Sequence, residues 1–191
     1  MTETPPGEPW LEHYAHPCDW RLDLPPLSLP DFFAASAAAH ADRPLVDFMV
    51  RQYTYADLHG MALSFAAGLQ QLGIARGDRV GLYLPNVPIY VAAYYGASIA
   101  GATLVNFSPL YTATELAAQV EDSGTRLLVT VDSAALLPTA LKVLDGSALE
   151  WLVVGSLGAQ LPVVKRLALG LLGRKSLTPI PARADVLRWD D

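Results

Sequence analysis

Gripping a triphosphate takes a glycine-rich turn whose backbone N–H groups converge on the phosphate oxygens, backed by a lysine and a hydroxyl. The nearest approach in this chain is GLLGRKS, Gly170–Ser176. A P-loop sets Gly, Lys and Ser or Thr in direct succession after a strand; here Arg174 separates Gly173 from Lys175, and the preceding residues have helical spacing. The segment fails as a cradle. Neither a GxGxxG turn nor a GxSxG nucleophile elbow occurs. His13, His16, His40 and His59 bring no second cysteine and no close acid into metal-ligand spacing, so surface or boundary positions are expected of them. Cys18 stands alone, which rules out a CxxC metal pair and an internal disulfide framework. No Ser/His/acid arrangement can be singled out, and Asp78 with Arg79 reads as a turn followed by strand entry. Residue chemistry therefore nominates no catalytic, no cofactor-binding and no metal-binding position.

The bulk properties narrow the class. With 191 residues, 52% hydrophobic and 17% charged, the chain can bury one ordinary core. A net charge of −6 argues against a general nucleic-acid binder, because neutralising phosphates needs clustered Lys and Arg. One cysteine fits a reducing cytoplasm. The N-terminus is polar and proline-rich, unlike a signal peptide. Asn106-Phe107-Ser108 has the form of a glycosylation sequon, a coincidence in a cytoplasmic chain. Ile89 to Phe107 carries no charge and approaches the length of a membrane span. Pro85, Asn86 and Pro88 precede it and Gly101 divides it, so a buried helix followed by a buried strand is expected instead.

Residues 1–27 are rich in proline and aromatic residues without a steady period, which suggests an extended arm lying over a core or reaching toward a partner. Order begins at Ser28, where Ser28 and Asp31 have capping-box spacing with Pro30 in the first turn; the helix should stop before Pro44. PLVDFM and RQYTY form a hairpin. Thr54 and Asp57 cap a helix that buries Leu58, Met61, Ala62, Phe65 and Leu69 and ends at Gly73. A strand is expected over Arg79–Leu84, then a helix from about Pro88 to Ala100, apolar on all sides and so buried on all sides. ATLVNF should be a strand covered on both faces. Thr112 and Glu115 repeat the capping device for a helix that buries Leu116, Ala117 and Val120 and ends at Gly124. RLLVTV is the next strand, Ser133 to about Leu144 a helix, and LEWLVVG a further strand.

Strands alternating with helices at these lengths imply βαβ crossovers, hence an α/β fold with a mostly parallel sheet and flanking helices. Asn106 to Tyr111 then lies at the carboxyl end of a strand, where such sheets place ligands, although geometry alone favours an ordinary βα loop. Basic residues gather only late, and Leu161–Lys175 (LPVVKRLALGLLGRK) puts Lys165 and Arg166 on a narrow polar strip beside Val163, Val164, Leu167, Ala168, Leu171 and Leu172. Two readings stand for it: a cationic interfacial helix that enters the headgroup boundary of anionic lipid, or a segment packed against the rest of a larger protein. Gly170 and Gly173 weaken it as a helix.

The run GDRVGLYLPNVPIYVAAYYGASIAGATLVNFSPLYTATELAAQVEDSG resembles the N-terminal half of adenylate-forming (AMP-binding) enzymes. PLYT, the EL after it and DSG look most like long-chain fatty-acid:CoA ligases, and PWLEHY, SLPDFF and QYTYADL agree; the resemblance extends from Trp10 to about Arg174. It implies the N-terminal subdomain of that fold and a two-step reaction. A fatty carboxylate attacks the α-phosphate of ATP to give acyl-adenylate and pyrophosphate, and the CoA thiol then displaces AMP. It further implies Mg2+, a Ser/Thr/Gly-rich phosphate loop, acidic residues for the ribose and a lysine on a mobile C-terminal domain.

None of those motifs falls on these residues. The phosphate loop is expected a short distance beyond Asp191, which makes 28–191 the N-terminal part of an AMP-binding domain, truncated before that loop. ATP, CoA and Mg2+ then belong to the full-length enzyme, and the chain alone should bind none of them and adenylate nothing. Asn106, Ser108, Pro109 and Tyr111 match a family signature whose role is structural. Homodimerisation and peripheral contact with the inner membrane surface through Leu161–Lys175 complete the expectations, together with an unpaired sheet edge. The competing class is a noncatalytic remnant or docking module for a membrane or partner; among enzymes, aryl-CoA ligases and carrier-protein adenylation domains remain open.

Overall fold

The computed structural model describes residues 7–172 and 174–190, so residues 1–6 of the expected arm, Gly173 of GLLGRKS and Asp191 lie outside the described residues. Local capping sets most of the element starts. Helix α1, Leu29–Ala39, begins where the Ser28 hydroxyl accepts from Asp31 N, with a proline in the first turn. Strands β1, Pro44–Phe48, and β2, Arg51–Thr54, form an antiparallel hairpin. Helix α2, Tyr55–Gln71, and helix α4, Ala113–Ser123, each open on a complete capping box, Thr54 with Asp57 and Thr112 with Glu115. In each box the backbone N–H of the threonine donates to the acid, which holds Asp57 and Glu115 below the ordinary carboxylate range. Gly124, at φ 62°, closes α4 in the left-handed conformation.

Five parallel strands form the main sheet in the order β4-β3-β5-β6-β7. They are β3, Arg79–Leu82; β4, Thr103–Asn106; β5, Thr125–Val131; β6, Trp151–Gly155; and β7, Val186–Arg188. Helix α3, Pro88–Ile99, links β3 to β4, and α5, Leu137–Gly146, links β5 to β6. The chain moves outward from β3 to β4 and then crosses back to β5, so right-handed crossovers place α3 and α4 on opposite faces. Helix α2 packs along α3, and α4 packs along α5. Leu127, Leu128, Val129 and Leu152 in the two central strands are wholly buried, each worth about 1.5–3 kcal/mol. Gly81 in β3 leaves room that Phe107 and Leu128 fill: a Cβ there would meet Phe107 Cε2 at 2.5 Å.

A smaller cluster of Phe33, Tyr53, Leu58, Ala62 and Ala92 ties α1 and the hairpin to α2 and α3. Phe33 stacks on Tyr95 with ring centroids 3.9 Å apart. Ahead of it, residues 7–27 run over the surface with a 3-10 turn, Pro9–His13, and an aromatic group in which Trp20 meets Trp10 and Tyr14. Glu8 and Arg21 close this arm on itself at 2.8 Å.

The α/β architecture, the parallel sheet and the uncharged helix-then-strand agree with the sequence, and no helix of the described residues is long and apolar enough to cross a membrane. Several bounds differ. Strand β3 ends at Leu82 rather than Leu84, and β6 starts at Trp151 rather than Leu149. Helix α5 starts at Leu137 rather than Ser133, because Pro138 has no N–H to give and is tolerated only in the first turn. Strand β4 is an edge strand with Thr103 and Asn106 exposed, not one covered on both faces. Its lack of charge reflects half-burial on the last outward crossover. Helix α3 is fully buried along Pro88, Ile89, Ala92, Ala93, Gly96 and Ala97, and its remaining positions are only half-buried.

Candidate functional site

In a doubly wound sheet the ligand position lies beyond the carboxyl ends of the strands, where the connections change direction. Strand order puts that point between β3 and β5. The chain fills it with its own side chains. Tyr83, Leu84, Val87 and Phe107, which leave β3 and β4, are all buried. The Tyr83 hydroxyl donates to the Tyr111 carbonyl at 3.1 Å, pinning the βα loop onto the strand next to it. Tyr90 donates to Asn106 Oδ1 at 2.9 Å, and Leu110 N donates to the Ser108 hydroxyl at 3.3 Å. Burial pushes the Tyr83 and Tyr90 phenols above their usual range, and Tyr94 adds to the effect at Tyr90. Both therefore stay protonated at neutral pH, as donors rather than bases.

The polar groups at the next two strand ends are also committed. Asp132 Oδ1 accepts from Leu157 N at 2.8 Å, at the start of the short helix α6, Leu157–Gln160. Gln160, only 4% exposed, accepts from Ile89 N through Oε1 at 3.2 Å and donates from Nε2 to the Ser156 carbonyl at 3.2 Å. Its own carbonyl accepts from the Tyr53 hydroxyl at 2.9 Å. The Gln160 amide thus joins the start of α3 to the segment after β6, and its backbone carbonyl anchors the hairpin. Asn106, Ser108, Pro109 and Tyr111 lie along this edge, where the Ser108 hydroxyl and the Tyr111 carbonyl fix backbone and Asn106 is held by the Tyr90 side chain. No group of three or more His, Cys, Asp or Glu among the described residues could hold a metal ion.

At the opposite end of the sheet sits an ionic group that residue spacing does not reveal. Arg126 grips Glu150 through two bonds of 2.7 and 2.8 Å and reaches Asp78 at 2.5 Å. Asp78 also accepts from Ala75 N, so it is the turn residue expected of it and an ion-pair partner as well. Arg126 holds Glu150 below the usual carboxylate range, whereas at Asp78 the Ala75 N–H is the larger cause and Arg126 the lesser. A depressed carboxylate contributes stability above its unfolded pKa and loses it as pH falls through the folded value. Denaturant midpoints should therefore fall between neutral pH and pH values below the carboxylate range, and Arg126→Gln should flatten that acid slope. An unchanged slope in the variant would show that the network contributes nothing.

The profile of the family described as "AMP-binding enzyme" matches residues 33–163. A long-chain-fatty-acid–CoA ligase of Bacillus subtilis (strain 168) is 35% identical over 160 residues, 84% of this chain and 28% of that protein. One of Escherichia coli O6:H1 is 39% identical over 160 residues, 82% of this chain and 28% of that protein. The chain therefore spans about 28% of the length of these curated relatives. Among solved structures, coronafacic acid ligase from Pectobacterium brasiliense superposes with a TM-score of 0.67 at 18% identity, over 86% of this chain and 29% of that one, which shows a common fold. Because that profile matches more than half of its length, the chain belongs to the AMP-binding enzyme family.

Proposed function

We propose that the chain is the N-terminal portion of a long-chain fatty-acid:CoA ligase, working in the cytoplasm, which activates a fatty acid with ATP and passes the acyl group to CoA. The identity of 35–39% over most of the chain to ligases of that name supports this reading. Its share of the work is scaffolding. The sequence offers no glycine-rich turn with lysine and hydroxyl support for a triphosphate, and the N-termini of α1, α2 and α4 are closed by their own Ser28, Thr54 and Thr112 hydroxyls, while that of α5 has no side-chain cap. That of α3 is closed by Gln160. No step of the reaction is therefore assigned to these residues.

The test compares the 191-residue chain with the same chain joined to the remaining portion of the B. subtilis ligase. Given ATP, Mg2+ and a long-chain fatty acid, the chain alone should release no pyrophosphate above the blank, while the joined protein should release it and, with CoA, form thioester. Pyrophosphate release by the chain alone would refute the scaffold assignment. A joined protein that folds yet stays inactive would favour a noncatalytic docking module.

A second proposal concerns Leu161–Lys175, whose helix α7 spans Val163–Leu172. Val163, Val164 and Leu167 are 72%, 79% and 62% exposed, which supports contact with a lipid surface. That contact is compatible with either a ligase or a docking module.

A further inference from the structure

The hairpin joining β1 to β2 turns through two residues, Met49 and Val50, with φ of 55° and 71°. Positive φ at both central positions is the pattern of a type I′ turn, for which Asn-Gly is the favoured pair. A β-branched valine in this region is strained. The strain purchases no internal packing, since Met49 is 55% and Val50 79% exposed. An unfavourable backbone thus presents two large apolar side chains to the outside.

The tip is fastened to the corner that carries α7. Lys165 Nζ donates to the Met49 carbonyl at 3.2 Å, Arg51 donates to the Ala159 carbonyl at 2.6 Å, and Tyr53 donates to the Gln160 carbonyl at 2.9 Å. Lys165 thus ties α7 to the hairpin tip, and Val163, Val164 and Leu167, within two residues of it along the helix, are exposed. Charge points to the occupant. Between Glu150 and Asp185 the sequence has no acidic residue, yet it contains Lys165, Arg166, Arg174, Lys175 and Arg183, in a chain of net charge −6. Arg183 is paired with Asp145 and Asp185, whereas Arg166, next to Leu167 in α7, and Lys175, just past the end of that helix, are exposed. Apolar side chains rimmed by cations suit the headgroup boundary of anionic lipid.

Resting on the lipid contact proposed for Leu161–Lys175, we propose that the Met49–Val50 tip and the Val163, Val164 and Leu167 face of α7 form one composite surface that seats on an anionic bilayer. The tip supplies a second, rigid insertion point, so the helix docks in one orientation.

The decisive variant is Met49→Asn with Val50→Gly. It installs the favoured turn pair, so the thermal midpoint should hold or rise, while partitioning onto phosphatidylglycerol vesicles should fall about tenfold on loss of both side chains. Val163→Ser with Val164→Ser and Leu167→Ser should weaken partitioning at least as much, and phosphatidylcholine vesicles should bind the parent chain poorly. If the helix variant loses binding and the tip variant keeps it, the composite surface is overturned and the contact through Leu161–Lys175 survives. A parent chain that ignores phosphatidylglycerol vesicles overturns both. Loss of binding in the tip variant alone, or self-association through the patch without vesicle binding, also overturns the composite.

Discussion

Gly96→Ala is expected to destabilise the chain by about 1–3 kcal/mol, although alanine is the better helix former by about 1 kcal/mol. A Cβ at position 96 of α3 would lie 2.6 Å from the Ala62 carbonyl oxygen of α2 and 2.9 Å from Phe65 Cδ1. The carbonyl belongs to the interior of a helix and cannot swing aside without disturbing the hydrogen bond it accepts there. The helices must separate, and Phe65, stacked on Trp189 with centroids 4.8 Å apart, carries the shift toward the β7 side of the sheet. Gly68→Ala in α2 is the control. Nothing lies within 4 Å of a Cβ there, so the propensity gain stands alone and the variant should be up to about 1 kcal/mol more stable. Urea unfolding of the two variants against the parent decides the matter: a Gly96→Ala chain as stable as the parent would show that α2 and α3 are not in close contact at this point.

What the sequence disclosed depended on distance along the chain. Capping boxes span three residues, so Thr54 with Asp57 and Thr112 with Glu115 could be read directly, as could the left-handed Gly124. Periodicity separated buried helix from strand in Ile89 to Phe107 because a 12-residue helix and a four-residue strand differ in length and in flanking glycine. The partial burial of β4 is not legible, because its position at the sheet edge depends on the order of strands, which hydropathy does not encode. The start of α5 could have been placed from Pro138 alone. The connecting groups were beyond reach. Arg126 and Asp78 are 48 residues apart, Gln160 and Ile89 71, and Lys165 and Met49 116. The Met49-Val50 turn is no more legible: Met49 continues the apolar run of PLVDFM, whereas β1 ends at Phe48, and a two-residue turn normally uses Asn, Asp or Gly.

Gln160→Leu should cost about 2–4 kcal/mol, more than most exposed substitutions in the chain, because it removes a cap that α3 cannot supply for itself. The N-cap of α3 is Val87, with no side-chain acceptor, and Pro88 has no N–H. Tyr90 N turns back to the Val87 carbonyl at 2.9 Å, and Ile89 N depends on Gln160 Oε1. Leucine keeps the volume but leaves the buried Ile89 donor without its partner, and strips the Ser156 carbonyl, the N-cap carbonyl of α6, of its side-chain bond. Gln160→Glu separates hydrogen bonding from packing. An ionised glutamate can still accept from Ile89 N, yet it places a second oxygen against the Ser156 carbonyl in a buried site, so destabilisation is expected at neutral pH. Once protonated, it can donate to that carbonyl as the amide does, so its deficit relative to the parent should shrink as pH is lowered, while that of Gln160→Leu should stay constant. Matched urea titrations at neutral and mildly acidic pH distinguish the two. Parallel deficits would mean that the amide fills space and does not cap the helix.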